Sequence, residues 1–166
     1  MSDEPRKFTV HLEQQEDFSF NVSFDLDAIP DLEVDEPPPL GEAAGPNPAR
    51  LVGVAAAHCL SASLLFCLQR SRNEPENVSA TVIGTITRND KGRLRLSALE
   101  VELELEGVDT DNNRVRRCLG MFEDFCVVTE AIRNGIPIDV KVVDQEGAVL
   151  MNSQENGDGA SAPDNG

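Results

Sequence analysis

The residues of this 166-residue chain that could do covalent chemistry are its four cysteines, Cys59, Cys67, Cys118 and Cys126. A cysteine reacts as its thiolate, so a reactive one needs a nearby cation, a helix N-terminus or strong hydrogen-bond donors. There is no Cys-x-x-Cys and no Cys/His cluster, which argues against a zinc site. No phosphate-binding loop is present either, and nothing calls for a metal or cofactor. The opening residues, MSDEPRKF, lack the basic-then-apolar layout of a secretory signal. The expected location is therefore cytoplasmic, where a structural disulfide framework is improbable. Two readings of the cysteines remain: redox or nucleophilic thiol chemistry, or thiols buried as small inert hydrophobes.

The elements that would position them begin with Leu51–Leu68, LVGVAAAHCLSASLLFCL, which carries no formal charge. Asn47 before it can cap a helix by accepting an orphan amide bond, and Pro48 suits the first helical position. Apolar residues occur all round this helix, which predicts burial on most sides. A membrane-spanning helix needs roughly 20 strongly apolar residues. Here Ala, Gly, Ser and His dilute the run, and no Trp or Tyr anchors its ends, so a buried central helix is the expectation. Cys59 sits near the middle of the helix. The helix dipole acts mainly within the first turn, so it lowers the Cys59 pKa very little. Cys67 lies two turns further on, about 12 Å by helical rise, and cannot bond to Cys59 within one helix.

The surface must be strongly acidic. Thirty Asp and Glu face 14 Lys and Arg, for a net charge of -16. Such a surface repels phosphate backbones and argues against nucleic-acid binding. The only lysines are Lys7, Lys91 and Lys141. A lysine-poor, acidic surface is what proteins of concentrated-salt cytosols carry, where self-repulsion is screened within about 3 Å at 1 M salt. It also fits an acidic protein from an ordinary cytosol.

The remaining elements follow from pattern. Residues 1–7 are expected to fray. Phe8–Leu12 and Phe18–Phe24 alternate and read as strands, with Glu13–Asp17 as their turn. Asp25–Gly45 is acidic, then Pro-rich, and reads as an extended surface connection. Val78–Arg88 is β-branched and strand-like, Asn89-Asp90-Lys91-Gly92 is a hairpin signal, and Leu94–Leu105 is the returning strand. Its apolar phase slips by one residue at Ser97-Ala98, which predicts a β-bulge. Glu100, Glu102, Glu104 and Glu106 then line a solvated face. Asp109–Asn113 can cap a second helix over Asn113–Glu123, with Val115, Cys118, Leu119 and Phe122 as its apolar stripe. Cys126–Ile132 forms a short element ended by Asn134-Gly135, and Ile136–Val143 reads as the last strand. The tail, residues 149–166, is acidic and polar and is expected to be disordered. The order is β-β, a central helix, β-β, one or two helices, β: an α+β architecture with no βαβ crossover.

Gly45-Pro46-Asn47-Pro48, the Ala-rich helix ending in His58-Cys59-Leu60-Ser61, and the later Cys126-Val127-Val128-Thr129-Glu130 together resemble the OsmC/Ohr family, the osmotically induced and organic-hydroperoxide-resistance proteins. The resemblance covers roughly residues 8–145. It implies one OsmC-like domain over residues 8–148, an intertwined homodimer of α+β subunits with antiparallel sheets around a long buried central helix, and an active site at each subunit interface. It implies a thiol-dependent peroxidase in which Cys59 attacks an apolar organic hydroperoxide. Cys126 resolves the sulfenic acid as a disulfide, and a dithiol or lipoyl group reduces it. Cys118 has no counterpart in the family and reads as core.

Two departures bear on that implication. The family carries a Glu shortly after the Asn-Pro pair, where this chain has Ala49. It also uses an Arg from its N-terminal β-region, whereas Lys7–Ala49 contains no arginine. Arg50 and His58 are the residues here that could supply thiolate activation from other positions. An alternative is an OsmC-fold protein without peroxidase activity, which binds a small apolar ligand at the dimer interface or acts as a redox sensor through Cys59. A plain acidic dimeric scaffold is a third.

Overall fold

The computed structural model describes residues 4–153. Residues 1–3 and 154–166, with the fraying and disorder expected there, lie outside the described residues. The chain divides into two compact units, split after Glu130.

The first unit opens with an antiparallel sheet of β1 (Val10–Gln14), β2 (Phe20–Phe24) and β3 (Leu32–Val34), in that spatial order. Val10 pairs with Phe24 and Phe20 with Val34. Over Asp25–Gly45 the expected extended surface connection pairs as strand β3 and turns partly inward. Three residues are too few for a period-2 pattern to stand out, yet Leu32 and Val34 turn the apolar side of β3 inward, and Val34 is buried. Beyond β3, Asp35 organises the Pro-rich loop. Its carboxylate accepts the amides of Glu36 at 2.8 Å, Glu42 at 2.9 Å and Ala44 at 3.1 Å. The loop then passes so close to β3 that a Cβ on Gly45 would collide with the Glu33 carbonyl, which is why a glycine stands there.

Helix α1 (Pro48–Arg70) follows, with Asn47 as its N-cap. The Asn47 side chain accepts the Arg50 amide at 3.1 Å. By length and composition α1 could cross a membrane, but Gly53, Ala56, Ala57, Leu60, Leu64 and Leu68 are buried inside the protein. The rest of the helix departs from the expectation of burial on most sides. Val52, Val54 and Phe66 are exposed in the single chain. The rest of the single chain offers only one wall for a helix that is apolar all round.

Strands β4 (Asn77–Arg88) and β5 (Leu94–Glu106) form a long hairpin packed on α1. At its turn the Asn89 side chain accepts the amides of Lys91 and Arg93. Gly92 adopts φ 72°, which a side chain would strain. The register steps between Thr85, opposite Ala98, and Ile86, opposite Leu96. Ser97 is thus the extra residue, and its hydroxyl donates to the Thr85 carbonyl at 3.1 Å. The bulge keeps Leu96, Leu99, Val101, Leu103 and Leu105 on the half-buried side, while Glu100, Glu102, Glu104 and Glu106 stay exposed.

Helix α2 (Asn113–Leu119) is capped by Asn112 and is shorter than expected, because the chain tightens into a 3₁₀ turn over Phe122–Phe125. Leu119 of the expected stripe is exposed, whereas Val115 and Cys118 are buried. With Leu64 and Leu68 these two form a core cluster joining the end of α1 to α2. Full burial of each leucine contributes about 1.5–3 kcal/mol. A disulfide between Cys67 and Cys118 crosses this cluster, with Cα atoms 5.7 Å apart. This corrects the expectation that no structural disulfide forms; Cys118 is core, as expected, and a bridge partner besides. Cys67 and Cys118 stand on facing elements, and the pairing depends on that packing rather than on any local sequence signal.

Helix α3 (Val127–Asn134) ends at Gly135, φ 73°. In the second unit, β6 (Lys141–Val143) pairs antiparallel with β7 (Val149–Asn152). Two corrections follow. Of the strand expected over Ile136–Val143 only the last three residues pair. Residues 149–152, assigned to a disordered tail, form β7. The Asp144 side chain accepts the amides of Glu146 and Ala148, both at 2.9 Å, and so forms the turn that lets the strand return.

Candidate functional site

Cys59 lies on the inner half of α1 and is partly exposed. Cys126 is fully buried. The 3₁₀ turn packs on α1, and its last bond, from the Cys126 amide to the Glu123 carbonyl at 2.9 Å, fixes where Cys126 stands. The Cys126 carbonyl in turn accepts the Glu130 amide at 3.3 Å, the first helical bond of α3. Cys126 therefore occupies the N-cap of α3, where a side-chain acceptor meets the amides of the first turn.

The two thiols are close enough to act on one another's ionisation. Burial pushes the Cys126 thiol up, but more donors hold its thiolate. They are the Cys59 thiol, the Thr129 hydroxyl, and the amides of Thr129 and Val128, and together they bring Cys126 below the ordinary cysteine value. Cys59 moves the other way. Burial raises it first, then the hydrogen bond to Cys126 and the charge on that sulfur, against the Val128 and Val127 amides. The first turn of α3 thus serves both sulfurs. Thr129 is buried, 7% exposed, and its hydroxyl has no hydrogen-bond partner among the described residues, sulfur acceptors included. It lies beside the Cys126 sulfur without a well-formed hydrogen bond to it. Sequence reasoning passed over Thr129. The available signal was a threonine three residues after the cysteine that opens α3.

Arg50 and His58 lie elsewhere. Both are exposed and line a groove of about 870 Å³ between α1 and the β4–β5 hairpin, walled by apolar residues such as Val54, Val82 and Leu99. Ala49 lines the same groove. The structure thus brings Cys59 and Cys126 together, while Arg50 and His58 face the groove. Among the described residues no cluster of His, Cys, Asp and Glu could hold a metal ion.

The sequence of residues 41–141 matches the model of the OsmC-like protein family. The chain belongs to the OsmC-like family. Its fold is shared with solved OsmC-like structures of low sequence identity. An OsmC-like protein from Mycoplasma pneumoniae is 15% identical, with 78% of this chain and 89% of that one covered and a TM-score of 0.65. An organic hydroperoxide resistance protein OsmC from Legionella pneumophila is 19% identical, with 79% and 92% covered and a TM-score of 0.59. The organic hydroperoxide resistance protein OhrB of Bacillus subtilis is 16% identical, with 78% and 93% covered and a TM-score of 0.58. No curated protein sequence matches the chain. In this OsmC-like protein both free cysteines fall inside the matched segment.

Proposed function

We propose that this OsmC-like protein is a cytoplasmic thiol peroxidase that reduces apolar organic hydroperoxides and works as a homodimer. The observation that carries the reading is the contact between a partly exposed Cys59 and a buried Cys126. The accessible sulfur meets the substrate, and its partner is already in place. Cys59 sulfur attacks the distal peroxide oxygen, the O–O bond breaks, and the alkoxide leaves as an alcohol after taking a proton. Cys59 is oxidised to a sulfenic acid. Cys126 sulfur then attacks Cys59 sulfur and expels hydroxide, which leaves as water. A small dithiol or lipoyl group reduces the resulting disulfide by exchange. The homodimer reading is supported by the exposed apolar side of α1 and the groove beside it.

The test is rapid-mixing oxidation of the full chain by cumene hydroperoxide, with thiol loss and dithiol turnover followed. The expected result is thiol loss far faster than that of a free cysteine, abolished by Cys59→Ser. Oxidation no faster than a free thiol would defeat the reading. A second reading is favoured by the size and apolar lining of the groove. In it the groove binds a small apolar ligand and the cysteine pair senses redox state. Tight binding of an apolar probe that survives Cys59→Ser, with no peroxidase turnover, would select it.

A further inference from the structure

The four cysteines stand at the corners of one frame. Cys67 follows Cys59 by eight residues on α1, and Cys126 follows Cys118 by eight on the segment packed against it. The Cys67–Cys118 bridge ties one end of the frame, and Cys59 and Cys126 stand close together at the other. Both long sides are stiff. One is the uninterrupted helix α1. The other is a relay of backbone bonds. The Cys118 carbonyl accepts the Met121 amide at 3.1 Å, the Met121 carbonyl the Asp124 amide at 3.3 Å, and the Glu123 carbonyl the Cys126 amide at 2.9 Å. Phe122 of the 3₁₀ turn packs on the Leu64, Leu68, Val115 and Cys118 cluster that the bridge crosses. Helix α2 has only seven residues, far below the roughly 12–15 that an isolated helix needs. Where Cys126 sits on α1 therefore depends on how α2 is held at Cys118.

We propose that the Cys67–Cys118 bridge is a redox latch on the Cys59–Cys126 pair. Closed, it holds Cys126 at Cys59 and favours their disulfide. Opened by a dithiol, it releases the 3₁₀ turn from α1, and that disulfide forms less readily. Cys67 and Cys118 are then positioning residues that act through the 3₁₀ turn. The two bridge sulfurs differ in access: Cys67 is half-buried and Cys118 is 3% exposed, so a reductant enters at Cys67. Bridges in a reducing cytosol are typically transient or redox-sensing, and a cytoplasmic location is the one proposed for this protein. The use of the latch in a resolving step rests on the peroxidase reading, but the coupling between the two pairs does not.

The opening step balances. One thiolate of a dithiol attacks the Cys67 sulfur, the bridge S–S bond breaks, and Cys118 leaves as a thiolate. The reductant's second thiolate attacks the reductant sulfur of the mixed disulfide and releases Cys67. The two protons given up by the dithiol end on Cys67 and Cys118. The protein gains two electrons, and the dithiol ends as a cyclic disulfide. Closing the latch is the reverse exchange. A coupling between two equilibria is reciprocal. If the closed bridge favours the Cys59–Cys126 disulfide by some factor, that disulfide protects the bridge from reduction by the same factor.

The experiment equilibrates the full chain in glutathione buffers of graded disulfide-to-thiol ratio and quenches it with iodoacetamide. Fragmentation of the intact chain by mass spectrometry then reads both pairs in the same molecule. Molecules with the bridge closed should form the Cys59–Cys126 disulfide with an equilibrium constant about tenfold or more above that of molecules with it open. Cys67→Ala/Cys118→Ala should match the open molecules. Val34→Ala, which weakens the core at β3, should match wild type. Cys59→Ser/Cys126→Ser should open its bridge in less reducing buffers than wild type does. A Cys59–Cys126 equilibrium that is the same with the bridge closed or open overturns the proposal, and so does a pair that never closes. An equal loss in Val34→Ala also overturns it, because the effect is then one of stability alone. If the coupling appears but wild type consumes no cumene hydroperoxide, the latch stands and the peroxidase reading falls. Peroxidase turnover without the coupling removes the latch alone.

Discussion

Cys67 and Cys118 are separated by 51 residues in sequence and joined by a disulfide at the base of the α1–α2 packing. The bridge sits on the Leu64, Leu68 and Val115 cluster. It closes a loop containing the whole β4–β5 hairpin, and the 3₁₀ turn that places Cys126 begins just after Cys118. Cross-linking a loop of this length removes unfolded-state entropy worth about 4 kcal/mol in the chain-entropy model. Dithiothreitol should accordingly lower the unfolding free energy of the wild type by an amount of that order, and its denaturation midpoint with it. The Cys67→Ala/Cys118→Ala double variant should start lower and show no response to the reductant. Equal midpoints for wild type with and without dithiothreitol, with the thiols shown to be free, would exclude a stabilising bridge.

Asp35 gives an acid-sensitive anchor. The amide bonds from Ala44, Glu42 and Glu36 outweigh burial and hold its carboxyl below the ordinary carboxylate value. A depressed folded-state pKa means that the stabilisation is complete above the unfolded-state value and is lost as pH falls through the folded one. Asp35→Asn should lower Tm at neutral pH, because one acceptor oxygen becomes a donor facing amides. The gap between variant and wild type should close as the pH is taken below the ordinary carboxylate range. Thermal melts at pH 7 and at pH 2.5–3 decide it, and a gap that widens on acidification would contradict the assignment.

Much of this fold was legible because its signals are local. Asn47 and Pro48 mark the start of α1, Asn89–Gly92 marks the hairpin turn, and the slipped phase at Ser97 marks the bulge. What stayed hidden depends on packing. The register of β3 against β2, the return of β7 onto β6, and the Cys67–Cys118 pairing are each set by a partner that no local pattern reveals. At the site, the two cysteines were legible as a pair only through resemblance to a family. The electrostatics were not legible at all. A search for a charged residue points to Arg50 or His58, whereas the groups acting on the sulfurs are backbone amides and Thr129.

The bulge makes its own prediction. Ser97 is the residue without a partner on β4, and its neighbours on either side are already paired. Deleting it leaves Leu94, Leu96 and Leu99 in one uninterrupted period-2 series. The deletion should therefore fold, with Tm within a few degrees of wild type. Deleting Glu100 instead sets Val101, Leu103 and Leu105 out of phase with Leu99 and turns one set toward solvent. That variant should be destabilised by several kcal/mol, on the order of two or three buried aliphatic side chains. Circular dichroism melts of the two single-residue deletions compare them directly, and equal losses would mean that the register is not what keeps the leucines inside.

The exposed side of α1 makes the last prediction. Val54 is 63% exposed, yet it lines the apolar groove beside the β4–β5 hairpin. A charged residue here costs little in an isolated subunit, where its head group reaches water, but a great deal if a second copy covers it. For the homodimer proposed above, Val54→Lys should therefore leave the unfolding of a single chain nearly unchanged while shifting the protein from dimer to monomer. Sedimentation velocity over a range of concentrations reads the change, with Glu100→Lys on the exposed side of β5 as a control for the added charge. A monomeric wild type would leave the groove to a different occupant. A dimeric Val54→Lys would place the dimer contact on another face of the chain.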